Sequence, residues 1–153
     1  MSFLMYGSET WTLYQQEIMQ LHTIQQRHLR LILNIKWDDY ISNEEVLRRA
    51  DVEDMEVMLV RTRLRWLGYV CRMNNDKPVK QLLYCELAHG SRPIGRPKLR
   101  FKDTCKSALK CDHVLDQWVS TVNNRAEWER LTRVVCHAYN SKRVQNYEKK
   151  GST

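Results

Sequence analysis

Residues that break regular structure are scarce in this chain: of 153 residues only five are glycine and three proline, and two of each fall in the segment 90–98. That segment therefore reads as the one true loop. No sustained two-residue alternation flanked by hairpin turns occurs, which argues against a sheet-based fold. No apolar run is long enough to cross a bilayer, and the opening residues Met1 to Tyr6 lack a positive leader before an apolar stretch. The expectation is a soluble protein with no membrane partner, intracellular and either nuclear or cytoplasmic.

Cysteine is present but lacks the spacing that gives it a framework role. Cys71, Cys85, Cys105, Cys111 and Cys136 are odd in number and widely spread, as expected of reduced thiols. Cys105, Cys111, His113, Cys136 and His137 offer soft and imidazole ligands, yet structural zinc sites pair their ligands at two-to-four-residue spacing. No metal is expected, and Cys105 and Cys136 fall on apolar helical faces where a thiol packs as a small hydrophobe. Catalytic signatures are missing too: there is no Gly-x-Ser-x-Gly elbow, no His-Glu-x-x-His helix and no phosphate-binding glycine loop. Nor is there a repeat of 20–50 residues, so a solenoid is not expected. The sequence predicts no enzyme and no cofactor.

What is present is helical periodicity over almost the whole length. Hydrophobic residues make up 42% and charged residues 28%, enough for a core in a chain of this size. We expect an all-α domain over residues 1–140, of six to seven helices in a compact orthogonal or bundle-like array. A subdivision near 90–98 and a frayed basic tail over 141–153 are also expected. The first helix is predicted from about Leu13 to Ile35, with Thr12 and Gln15 as a capping pair. Its inner face is predicted as Leu21, Ile24, His28, Leu31 and Ile35, with His28 a hydrogen-bonded residue at the core edge. Trp37-Asp38-Asp39-Tyr40 breaks that helix; the aspartates follow Trp directly and lie between helices, which suits loop and cap duty rather than a polymerase site. Ser42 and Glu45 form a capping box for a short helix to about Ala50.

A third helix, about Glu53 to Met73, has Met55, Leu59, Thr62, Trp66, Val70 and Met73 as its predicted buried stripe. Asp76 and Pro78 open a fourth helix carrying Leu82, Leu83 and Leu87, which Gly90 closes. Phe101, Cys105, Ala108 and Leu109 mark a fifth, and Val114, Leu115, Trp118, Val119 and Val122 a sixth. Asn124 and Glu127 cap the last, with inner face Trp128, Leu131, Val135 and Ala138.

The charge is segregated along the chain. Residues 1–60 carry 5 Lys/Arg against 10 Asp/Glu, residues 61–110 carry 13 against 3, and residues 111–153 carry 7 against 5. Clustered cations gain affinity for a polyanion by releasing its condensed counterions, so nucleic acid is the expected partner. At 100° per residue Arg61, Arg65 and Arg72 fall within about 40° of one another on the third helix and form a basic ridge. The loop and its exit add Arg92, Arg96, Lys98, Arg100 and Lys102. Gly95-Arg96-Pro97-Lys98 resembles the core of an AT-hook, an extended arginine peptide that enters the A·T minor groove.

The order of several short motifs carries a wider resemblance. Tyr6-Gly7-Ser8-Glu9-Thr10-Trp11 is followed by Asn43-Glu44-Glu45-Val46-Leu47-Arg48-Arg49-Ala50, then Arg63-Leu64-Arg65-Trp66-Leu67-Gly68-Tyr69-Val70 and Arg72-Met73. Gly90-Ser91-Arg92-Pro93-Ile94-Gly95-Arg96-Pro97 and the spaced pair Trp118 and Trp128 complete the series. Over roughly residues 3 to 130 the chain resembles the C-terminal region of the endonuclease–reverse transcriptase polyprotein of non-LTR retrotransposons. That region follows the polymerase palm. The resemblance implies a non-catalytic thumb-side fragment, without nuclease, fingers or palm, that binds RNA or an RNA–DNA hybrid in preference to duplex DNA. The rival expectation is a helical protein-interaction or structural module, or a decayed remnant of such an element.

Overall fold

The computed structural model describes residues 4–85, 95, 98–110 and 118–151, the last stretch with side chains through Gln145. The protein is all-α, as its periodicity predicts. Among the described residues the α-helices are α1 (Gln15–Ile32), α2 (Asn43–Ala50), α3 (Met55–Cys71), α4 (Pro78–Tyr84), α5 (Phe101–Leu109), α6 (Trp118–Thr121) and α7 (Arg125–Gly151). None of them is long and apolar enough to cross a membrane. The chain divides into two compact units, one of Leu13–Leu59 and one of Met1–Thr12 with Val60–Thr153, so neither boundary falls in the 90–98 segment.

In the unit Leu13–Leu59, α1 packs on α2 around Leu29, Val46 and Leu47, with Leu33, Ile35, Ile41, Ala50 and Val52 against them. Burying each of the three central side chains contributes about 1.5–3 kcal/mol. The inner face of α1 differs from the predicted one. Gln25, Gln26 and Leu29 are buried, whereas Leu31 is 71% exposed, Ile24 is exposed, and His28 is exposed with its ring nitrogen 2.7 Å from the Ile24 carbonyl. Polar side chains take the inner positions because they answer main-chain groups on neighbouring segments. Gln25 Nε2 donates to the Glu53 carbonyl at 2.7 Å while its Oε1 accepts from the Met55 N–H at 2.9 Å, satisfying one of the unpaired donors that open α3. Arg30 donates to the Ile41 carbonyl at 2.7 Å and to Asn43 Oδ1 at 2.9 Å.

The caps follow local chemistry. Ser42 Oγ accepts from the Glu45 N–H at 3.3 Å, as predicted, but the Glu45 carboxylate turns to Arg48 and Arg49 instead of closing the box. At the start of α1 the cap contact is the Glu17 carboxylate accepting from the Tyr14 N–H at 2.7 Å, not Thr12 with Gln15. Asp39 performs the expected cap duty, its Oδ2 accepting from the Lys36 N–H at 2.7 Å across the short 3-10 turn Trp37–Asp39.

In the second unit, α3 buries Val60, Leu64, Leu67, Val70 and Cys71. The indole of Trp128 on α7 lies against Gly68, where a Cβ would collide with it, and its Nε1 donates to the Leu64 carbonyl at 3.0 Å. Glycine is required there by close approach rather than by backbone angle. Trp118 packs beside Trp128 with ring centroids 6.5 Å apart. Cys105, Ala108 and Leu109 of α5 are buried, as predicted, and α5 and α6 both pack on α7. Asn124 Oδ1 accepts from the Ala126 and Glu127 N–H groups at 3.1 and 3.4 Å, the predicted cap of α7. α4 opens with Pro78 at its first turn, with Lys77 rather than Asp76 at the cap, and stops at Tyr84. The predicted positions Leu87 and Gly90, and likewise Val114 and Leu115, lie outside the described residues. Residues 141–151, predicted as a frayed tail, are the final turns of α7, and Arg143 continues its buried face.

Candidate nucleic-acid interface

A groove of about 1390 Å³ runs along α3 within the second unit. Its floor and walls come from the outer side of α3, the segment leading into α4, and the N-terminal half of α7. Arg61, Arg65 and Arg72 of the predicted ridge all line it, joined by Lys77, Arg125 and Arg133, against two acidic side chains, Glu9 and Glu129. The excess of positive charge is therefore local as well as global, and a concave basic surface focuses its field on an anionic ligand. Arg72 is anchored, its guanidinium donating to the Val122 carbonyl at 3.0 Å, which fixes the far end of the ridge. Arg65 is exposed.

Trp66 is not where the apolar pattern puts it. It is half-buried and lines the groove with Thr62 and Met73, whereas Met55, Leu59 and Val70 of the predicted stripe are buried as expected; a second buried stripe, through Leu64, Leu67 and Cys71, lies more than a third of a turn away from the predicted one. Helix α3 carries apolar residues on both stripes. The aliphatic one meets α7 at Gly68, and the one bearing Trp66, Thr62 and Met73 is left to the groove. Trp66 also touches Tyr69, one turn away, with ring centroids 5.3 Å apart and planes at 32°. The cost of Trp66→Ala falls accordingly below the ~3–5 kcal/mol that a fully buried indole predicts.

The remaining predicted contacts are not part of this surface. Lys98 and Arg100 are exposed elsewhere, and the Lys102 ammonium sits 5.2 Å from the centroid of the Tyr84 ring in a cation–π contact. Arg92 and Arg96 lie outside the described residues. The groove-lining residues that the sequence reading did not place in the candidate site are Trp66, Tyr69, Lys77, Arg125 and Arg133. Arg125 and Arg133 flank Glu129 at i, i+4, i+8, a legible ridge on α7, but only packing at Gly68 tells that this ridge faces α3.

Other chemistry is sparse. Among the described residues no cluster of three or more His, Cys, Asp or Glu side chains is arranged to hold a metal ion. Burial pushes the Cys105 thiol up to about 12, and the Cys71 thiol is also raised, by burial first, with its Sγ 3.4 Å from the Tyr84 hydroxyl. Such thiols are poor nucleophiles. Comparison with protein-family models, curated proteins and solved structures returned no match.

Proposed function

We propose that this chain is a non-catalytic nucleic-acid-binding fragment of a non-LTR retrotransposon reverse transcriptase, acting inside the cell on RNA or an RNA–DNA hybrid. The observation that carries the binding half is the gathering of Arg61, Arg65 and Arg72 with Lys77, Arg125 and Arg133 in one groove. Guanidinium groups suit phosphate because they donate in a planar, bidentate fork. The order of the sequence motifs supports the family half. The absence of catalysis in this reading is supported by Asp38 and Asp39, which lie in a 3-10 turn where the Asp39 carboxylate is held by the Lys36 N–H.

The test is a salt series with the purified chain on single-stranded RNA, RNA–DNA hybrid and duplex DNA. Phosphate binding weakens log-linearly with salt, and absence of binding at low salt refutes the reading. A second reading, a helical protein-interaction module, is favoured by Leu31, Ile32, Trp37 and Tyr40 in the first unit, all more than two-thirds exposed. Binding to a protein partner through those side chains depends on apolar area and is far less sensitive to salt.

A further inference from the structure

Tyr69 is 55% exposed on a helix whose core is already filled by Leu64, Leu67 and Cys71. It adds little to that core. Its ring leans on Trp66 at 5.3 Å, and the two together form an aromatic step inside a groove whose other walls carry arginine. The placement is regular: Arg65 stands one turn before Tyr69 and Arg72 one turn after it. Cations therefore bracket Tyr69 along the helix axis, about 6 Å before it and about 4.5 Å after it.

Phosphate binding alone has no use for exposed rings, and duplex nucleic acid offers none of its base faces to a groove. Single strands offer both charges and faces. Aromatic platforms between basic side chains are how sequence-tolerant single-strand sites hold successive bases while the cations track the backbone. Trp66 is half-buried and lines the same groove as Trp128, which is itself hydrogen-bonded to the α3 main chain at Leu64. A half-buried indole with an exposed phenol beside it makes a step of two ring faces.

We infer that the groove is a single-strand site, in which unpaired bases of RNA or DNA stack on Tyr69 and Trp66 while Arg65 and Arg72 hold the flanking phosphates. The inference rests on the nucleic-acid reading above, keeps its RNA, and puts unpaired strands of either sugar in place of the hybrid. Every base has a π face, so the stacking carries little sequence preference.

The experiment uses the full chain and fluorescein-labelled oligomers of about twelve nucleotides, within the span of known single-strand sites. The oligomers are oligouridylate, oligothymidylate, an abasic deoxyribose-phosphate strand of the same length, and a mixed-sequence duplex. Both base-bearing strands are expected to bind more tightly than the abasic strand and the duplex. Tyr69→Ala is expected to lower affinity for the base-bearing strands roughly five-fold or more and to leave the abasic strand unchanged, while Tyr69→Phe keeps wild-type binding. Trp66→Ala is expected to act in the same direction. Because its half-buried ring also supports packing, Tyr69→Ala, checked for native circular dichroism, is the deciding variant. Equal losses on abasic and base-bearing strands, no loss on either, or a duplex bound as tightly as the single strands would overturn the stacking site and leave phosphate binding standing. A wild-type chain that binds none of the four at low salt removes both readings.

Discussion

The indole of Trp128 lies against the backbone of Gly68 and hydrogen-bonds the Leu64 carbonyl, so one glycine and one tryptophan join α7 to α3. This contact aligns the two basic ridges. α3 brings Arg61, Arg65 and Arg72, and α7 brings Arg125 and Arg133 to the same groove.

Adding a methyl group at that contact forces the helices apart. Gly68→Ala gains helix propensity but overpacks the indole, with an expected net loss of about 1–3 kcal/mol in chemical denaturation. Nucleic-acid affinity is expected to fall further than the unfolded fraction explains, because the ridges move relative to each other. An unchanged denaturation midpoint would mean that Trp128 can swing aside without cost.

Charge removal separates the ridge from the loop. Arg61→Gln, Arg65→Gln and Arg72→Gln together keep helix propensity, and each lost phosphate contact is expected to reduce the logarithmic salt slope on a single strand by about 0.7. Arg125→Gln with Arg133→Gln is expected to do the same from α7. Arg96→Gln tests the AT-hook resemblance instead: a groove-entering arginine penalises A·T-rich duplex more than G·C-rich duplex.

Acid sensitivity has one identifiable local source. Hydrogen bonds from Arg48 first and Arg49 second, at 2.7 and 2.8 Å, hold the Glu45 carboxyl down at about 2, from an ordinary value near 4.5. The folded value is depressed, so whatever stability the cluster gives α2 is fully present above the unfolded value near 4.5. It is lost as pH falls through about 2. The cluster is solvent-exposed and screened, so high salt weakens it. Carbon chemical shifts of Glu45 followed over acid pH check the value. Arg48→Gln is expected to move it up, and a wild-type titration near 4.5 contradicts the geometry.

Thiol labelling reports the second unit. With its thiol pushed up to about 12 by burial, Cys105 is expected to resist iodoacetamide near pH 8 while the exposed Cys85 reacts. Denaturant should abolish the difference. Labelling of Cys105 in the native state at the rate of Cys85 would mean that α5 opens readily from α7.

Chain-local chemistry is what the sequence by itself determined. The all-α class, the break at Trp37, the start of a helix at Pro78, the Ser42 and Asn124 caps, the inner residues of α5 and the arginine spacing on α3 each depend on residues within a turn or two of one another. Local periodicity and capping chemistry report such features directly. The inner face of α1 was not legible, because Gln25, Gln26 and Arg30 are drawn inward by main-chain groups 11 to 30 residues away, whose need for partners hydropathy does not encode. The role of Trp66 was not legible either. Helix α3 offers two apolar stripes, and only the seating of Trp128 on Gly68 decides which is buried and which is left in the groove beside the arginines. Packing made that choice, since a buried stripe is defined by the surface that covers it, and that surface comes from a helix some sixty residues further along the chain.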